Sequence, residues 1–380
     1  MTFPQPYNRV QFRLATPDDA HLPAFDNTKL VAINTCPFWG IVRYGLHKVM
    51  NSANRAMALE AGGAAHEVYA AIRLWTLRKS APGHFEHHGV RLFGQENFAK
   101  MKEHLQSRED EQTQLINFAI EALYSSGFYD DPDDKRRTLT NIEQGCITYI
   151  DRMDFTPPVW IQDITNPARL VGIEVPFDIV VSFDIPVPYK LTEINYLSPD
   201  YEVDVSTAPQ VTKQVRFIGR IDGIHAHENN ELRIHENKTA SRLNDAWRQS
   251  FYMLHQITGY CIAASLITGR TIEKAKILGM QIPQPTGSRQ DGISADTVTR
   301  EPHMLERWVS WFYHTVSLYE KYIDDPTSAP KYTHSCNRFF RPCSFIPLCY
   351  SDDEEHRQII DEMDTDAWSP LTSEAQGELM

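Results

Sequence analysis

Long apolar runs are missing from this 380-residue sequence. A helix that crosses a bilayer needs ~20 consecutive apolar residues. The longest candidate, residues 261–269 (CIAASLITG), is about half that and has polar flanks. The opening residues, MTFPQPYNRVQF, carry no basic stretch leading into an apolar one, so no secretory leader and no membrane are expected, and the expected compartment is the cytoplasm. Cysteine is scarce: Cys36, Cys146, Cys261, Cys336, Cys343 and Cys349 are all there is, which excludes a disulfide scaffold. No G-x-x-x-x-G-K-[ST] occurs, so ATP-driven work is not built into the chain, and no G-x-S-x-G marks a serine nucleophile. No repeat period is evident. A basic surplus is also lacking, with 37 Lys and Arg against 50 Asp and Glu. That deficit is local, because residues 351–380 hold ten acids and one base. The other 350 residues hold 36 bases and 40 acids, so the net charge of −13 does not exclude a polyanionic partner in a local cleft.

What is present is an ordinary globular composition, 42% apolar and 23% charged, with no signature of wholesale disorder, collagen or coiled coil. Residues 1–35, punctuated by Pro and Asp, read as an irregular lead-in. Helical spacing predicts helices over 51–78, with a break at Gly62–Gly63, over 95–126 and over 138–153, separated by the loop 130–137. Residues 36–158 thus form a helical part. Near 159 the texture turns to β-branched, alternating segments: 159–164, 169–187, 215–227 and 232–239, with Asn229–Asn230 as a hairpin turn. A helix over 246–269 ending at Gly269 and a strand over 274–284 complete a core spanning 159–300. A helix over 301–325 and the cysteine-rich segment make up 301–350. Residues 351–380 form an acidic tail, expected to be a solubilising segment with one short helix. The order predicts an α/β fold, a mixed sheet flanked by helices.

One constellation carries chemistry. Asp222 lies on one predicted strand, and Glu236 and Lys238 lie on the next with one residue between them. Period-two geometry puts Glu236 and Lys238 on one face, and the hairpin can bring Asp222 alongside. Two carboxylates and an ammonium are costly to bury dry. A divalent cation held by the carboxylates would offset that cost, and Lys238 would then orient the attacking water or help deprotonate it.

This D-x(n)-E-x-K pattern resembles the PD-(D/E)XK nuclease superfamily, in its RecB/Cas4-like branch. Gln256 and Tyr260 on the following helix resemble that branch's Q-x-x-x-Y motif, and His66 in GGAAHEVY resembles its helical histidine. Glu174 in IEVPF resembles the acid on the strand before the aspartate. The resemblance implies a restriction-endonuclease-like sheet and metal-dependent hydrolysis of phosphodiesters. His66, Asp222, Glu236 and the carbonyl of Asn237 would hold Mg²⁺ or Mn²⁺. Asp222, Glu236, Lys238, Gln256 and Tyr260 would form the catalytic set.

Three cysteines crowd the stretch CNRFFRPCSFIPLC, and Cys36 stands alone far upstream. Thiolates bind soft metals and iron–sulfur clusters. Cys36, Cys336, Cys343 and Cys349 resemble the four ligands of the [4Fe–4S] cluster that staples the ends of iron–sulfur exonucleases in this branch. The first spacing here, C-x6-C, is longer than the family's usual one, and zinc stays open as the alternative. Cys146 and Cys261 fall within predicted helices as small core residues. The resemblance implies DNA as partner, single strands or ends, in recombination, repair or end processing by a phage or bacterial protein (the host cytoplasm, if phage-encoded). A recombination or replication protein could be a further partner. For grip on the strand, Lys213, Arg216, Arg220, Arg242, Trp247, Arg248 and the segment 337–341 are candidates. The alternative is an idle nuclease-fold subunit that binds DNA or acts as a scaffold.

Overall fold

The computed structural model describes residues 9–50, 57–152, 172–186, 210–227, 230–282, 292–338, 341–351, 353–366 and 371. The chain begins with strands β1 (Arg9–Leu14) and β2 (Ala24–Phe25), followed by helices α1 (Asn27–Thr35) and α2 (Pro37–Gly40) and strand β3 (Lys48–Val49). Four helices come next: α3 (Met57–Ser80), α4 (Pro82–Glu103), α5 (Glu111–Ser125) and α6 (Leu139–Arg152). The sheet strands β4 (Ile173–Pro186), β5 (Gln210–Ala226) and β6 (Leu232–Ala240) lead to α7 (Asp245–Gln249), α8 (His255–Thr268), β7 (Lys274–Gln281), β8 (Ile293–Thr299) and α9 (Pro302–Tyr322). The C-terminal part holds β9 (Asn337–Arg338), β10 (Arg341–Pro342), α10 (Ile346–Tyr350), α11 (Asp353–Glu362) and β11 (Asp364–Thr365).

The main sheet runs β1-β4-β5-β6-β7-β8, with β2 added alongside β5. Its pairs are antiparallel except β6 with β7 and β2 with β5. A parallel pair needs a crossover, and α7 and α8 supply it between β6 and β7. The protein is therefore α/β with a mixed sheet, as the strand and helix order predicts.

Both faces of the sheet are covered. Ile179, Val180 and Val181 are all fully buried, the mark of a strand sandwiched between layers. One face packs against α1, α8 and α9, where Phe217 lies 5.2 Å from Trp308 and Trp308 stacks on Phe312 at 4.9 Å. The other face carries Ile173, Leu278 and Met280 into a second core with α3, α4, α5 and α6.

Six expectations need correction. Residues 9–35 are not an irregular lead-in: Val10, Phe12 and Leu14 alternate with polar residues and make β1 an edge strand on β4. The Asp-rich stretch behind it is held by Arg13, which bonds Asp19 at 2.6 Å. The predicted helix 95–126 is two helices, because Asp110 starts α5 by accepting the N–H groups of Gln112 and Thr113. The predicted helix 246–269 is split at 250–254, where backbone carbonyls turn to a buried arginine. The acidic tail is folded through residue 366: α11 forms as expected, but Ile359, Ile360 and Met363 pack on the core and β11 pairs with β3. Conversely, α3 passes through Gly62–Gly63 without a break. Strand β8 completes the sheet edge where no strand was expected. The segment 159–164 lies outside the described residues, as does Asn229; Asn230 adopts the left-handed φ of +64° that suits a tight turn.

Candidate metal centre and active site

The sheet register builds the site. Ile173 faces Gly223 and Val175 faces Ile221, which sets Glu174 opposite Asp222. Gly223 faces His235 as the last pair of β5 with β6, and just beyond it the Asn237 N–H reaches Asp222, which brings Asp222 beside Glu236. Three acids thus stand in one row across adjacent strands. Glu174 holds φ at +46°, a left-handed conformation rare for a residue with a side chain and often found at functional sites.

Helix α3 brings His66 to this row, with Nδ1 3.6 Å from Asp222 Oδ1. His66, Glu174 and Asp222 each offer one ligand atom, and all three atoms lie within 4.8 Å of one another. Glu174 Oε1 is buried and has no hydrogen-bond partner among the described residues. Burial, then the charge of Asp222, pushes the Glu174 carboxyl well above its usual range. Burial lowers the pKa of His66, against the opposite pull of Asp222. A neutral imidazole beside two carboxylates is a donor set suited to a hard or borderline divalent cation.

Glu236 is turned differently. Its Oε1 takes the ammonium of Lys238 at 2.6 Å, and its Oε2 is buried without a partner. Burial and the neighbouring Asp222 raise its pKa to about 7. Burial opposes the charge on Lys238, but Glu236 and Asp222 outweigh it and raise the pKa of the ammonium. Lys238 also donates to Gln256 Oε1 at 3.3 Å, and Gln256 Nε2 donates to the Tyr260 hydroxyl at 2.9 Å. Gln256 and Tyr260 sit at i and i+4 on α8, one above the other. The five residues Asp222, Glu236, Lys238, Gln256 and Tyr260 form one connected neighbourhood.

Asn237 is fully buried between β6 and the helical layer. Its backbone N–H donates to Asp222 Oδ2 at 2.7 Å, its side-chain Nδ2 donates to Tyr149 OH at 2.9 Å, and its Oδ1 accepts from Arg73. The expected ligand group was His66, Asp222, Glu236 and the Asn237 carbonyl. The structure gathers His66 and Asp222 with Glu174 and leaves Glu236 on Lys238. Arg73 and Tyr149 carried no signal in the sequence, since they reach Asn237 from helices 164 and 88 residues away.

The cysteines lie outside this neighbourhood. Cys36 lies between α1 and α2, its sulfur 4.0 Å from the carbonyl of Pro330. The Cys343 N–H donates to Cys336 O at 2.7 Å. Burial, then the charge of Cys36, raises the Cys349 pKa to about 11, and Cys343 and Cys336 add to it. No three of the four sulfurs fall within 4.8 Å of one another. Cys146 and Cys261 are fully buried helical residues, as expected, and burial raises the Cys261 thiol to about 12.

Of the candidates for strand grip, Lys213 is paired with Glu320 and Arg216 with Asp178. Arg248 contacts Asp245 at 3.3 Å, and Trp247 lies over Gly279. Phe339 and Phe340 are outside the described residues. Neither a scan of protein-family models nor a search of curated proteins returns a match to this chain. Among the described residues, no helix is long and apolar enough to cross a membrane.

Proposed function

We propose that this chain is a divalent-metal-dependent deoxyribonuclease with a restriction-endonuclease-like core of the RecB/Cas4-like kind. Its substrate would be DNA single strands or ends, in recombination, repair or end processing. The observation that carries the reading is the row Glu174–Asp222–Glu236, closed by His66 on one side and by Lys238, Gln256 and Tyr260 on the other.

The residues present fit Mg²⁺ or Mn²⁺. His66, Glu174 and Asp222 would hold the ion, and the orphaned Glu174 Oε1 gains a partner by doing so. Such an ion supplies Lewis acidity, offsetting charge that develops on the phosphate and easing ionisation of the attacking water. The chain supplies the rest. Lys238 sets a fixed positive charge beside the scissile phosphate and is held there by Glu236 and Gln256. Glu236 Oε2 is open to a proton from the attacking water. Tyr260 fixes Gln256, which keeps Lys238 from swinging away.

Cys36, Cys336, Cys343 and Cys349 would hold a [4Fe–4S] cluster. A single tetrahedral zinc would draw its sulfurs to about 3.8 Å from one another. Zinc stays the alternative at these thiols.

The test uses end-labelled single- and double-stranded DNA, with and without Mn²⁺. Wild-type protein is expected to release label only with the metal. Asp222→Ala and Lys238→Ala should each lower the rate by at least about 100-fold, with unfolding transitions close to wild type. Cutting at the wild-type rate by either variant would remove the site. Binding without cutting by the wild type would favour the idle subunit.

A further inference from the structure

Helix α3 presents His66, Tyr69 and Arg73 at i, i+3 and i+7, a stripe along one face. His66 meets Asp222, and Arg73 passes deeper. The residue is 5% exposed and its guanidinium bonds the side-chain oxygen of Asn237, while Nη1 has no partner among the described residues. Room for it comes from Gly223, where an added Cβ would stand 2.9 Å from Arg73 Nε. Tyr149 reaches the same amide from α6, so the Asn237 side chain is gripped at both ends. Its side-chain rotation is thereby stopped, and the backbone N–H of the same residue holds Asp222 Oδ2. With Oδ2 occupied, Oδ1 is the oxygen left facing His66.

We infer that Arg73 and Tyr149 are positioning residues: through Asn237 they fix the orientation of Asp222, and this clamp is what the helical layer α3–α6 contributes to the cation site. The inference rests on the proposed reading of that site. A buried guanidinium is expensive to keep, and core packing alone asks for no such group at this point. Partners one step removed from metal ligands orient those ligands, and losing them commonly weakens binding 10- to 100-fold.

The test reads Mn²⁺ affinity by isothermal titration calorimetry on the whole protein, with kcat and KM for labelled DNA measured beside it. Arg73→Met is expected to weaken Mn²⁺ binding by roughly 10- to 100-fold and to raise the Mn²⁺ needed for cleavage, leaving the KM for DNA unchanged. Tyr149→Phe removes one hydroxyl from a well-packed ring and should weaken binding roughly 3- to 10-fold. It carries the test if Arg73→Met does not fold. In an Asn237→Ala background, which keeps the backbone groups, neither substitution should weaken Mn²⁺ further. Wild-type Mn²⁺ affinity in Tyr149→Phe and in Arg73→Met would overturn the clamp, and so would full effects persisting without the Asn237 side chain. Asp222→Ala separates the two readings. If it abolishes Mn²⁺ binding while the clamp variants do nothing, the site stands and the clamp falls. If the wild type binds no Mn²⁺, both fall.

Discussion

The ammonium of Lys29 lies 4.1 Å from the centre of the Tyr319 ring and 4.5 Å from that of Phe25, and it donates to Ala24 O at 3.1 Å. These contacts replace part of its lost hydration. Burial nevertheless dominates and lowers its pKa to about 8, against the opposing charge of Asp26. The folded protein therefore binds fewer protons than the unfolded chain between about pH 8 and the ordinary lysine value near 10.4. Where the unfolded state binds more protons, stability rises with pH. Wild-type protein should thus gain on Lys29→Met as pH rises through that window, by on the order of 3 kcal/mol. Guanidinium unfolding of both proteins at pH 7, 9 and 10.5 measures it. A difference that stays flat with pH would mean that Lys29 is hydrated in the folded state. No such linkage is available to a methionine, so the comparison cancels the other groups that titrate in alkali.

Between single residues and the whole chain, the split between α7 and α8 shows how one side chain reshapes an element. Arg300 is 2% exposed, and its guanidinium gathers three carbonyls: Nη2 donates to Phe251 O at 2.8 Å and Leu254 O at 3.2 Å, and Nη1 to Tyr252 O at 3.1 Å. Carbonyls that a continuous helix would use internally are drawn outward, and α8 restarts at His255 with Gln256 in its first turn. Arg300→Met should remove three guanidinium bonds, leaving Phe251 O and Leu254 O only their long local N–H partners, and destabilise the fold by about 3 kcal/mol. It should also slow cleavage, because Gln256 loses its fixed approach to Lys238. Equilibrium unfolding and the Mn²⁺-dependent assay check both, and unchanged values would show the turn to be held by packing alone. The same comparison shows what periodicity can reveal. Strands β4 to β7 and helices α6 and α9 were legible because their apolar residues alternate or recur at helical spacing. Asp222, Glu236, Lys238, Gln256 and Tyr260 were legible as a group because period two and i, i+4 geometry act within short stretches. The break at 250–254 was not, since its cause lies some fifty residues downstream. Glu174 stood out in the sequence only by its likeness to the family's acid, and Arg73 and Tyr149 meet the site only through the packing of the helical layer on the sheet. Neither is written in local spacing.

On the scale of the whole molecule, the early and late parts of the chain are tied together at several points. Asn34 bonds Thr315, the Phe38 N–H donates to Pro330 O at 3.2 Å, and Arg43 pairs with Asp366 at 2.7 Å. The Asp366 N–H donates to His47 O at 2.7 Å beside the β3–β11 pair. Cys36 lies within this same seam, its sulfur 4.0 Å from Pro330 O. A cluster there would close a loop of roughly 300 residues, removing entropy from the unfolded chain worth on the order of 5 kcal/mol by analogy with a covalent cross-link. Folded-state ties give no such constraint, because they vanish on unfolding. Protein purified without oxygen should therefore be brown, with broad absorbance near ~400 nm. Cys349→Ser should lose iron and colour and unfold at lower denaturant, while retaining Mn²⁺-dependent cleavage per folded molecule. Iron analysis, chemical unfolding and the cleavage assay on one preparation decide it. Zinc in colourless wild-type protein would replace the cluster. Loss of cleavage in a variant that remains folded would mean that the seam does more than hold the ends together, and that the thiols and the carboxylate row act as one site.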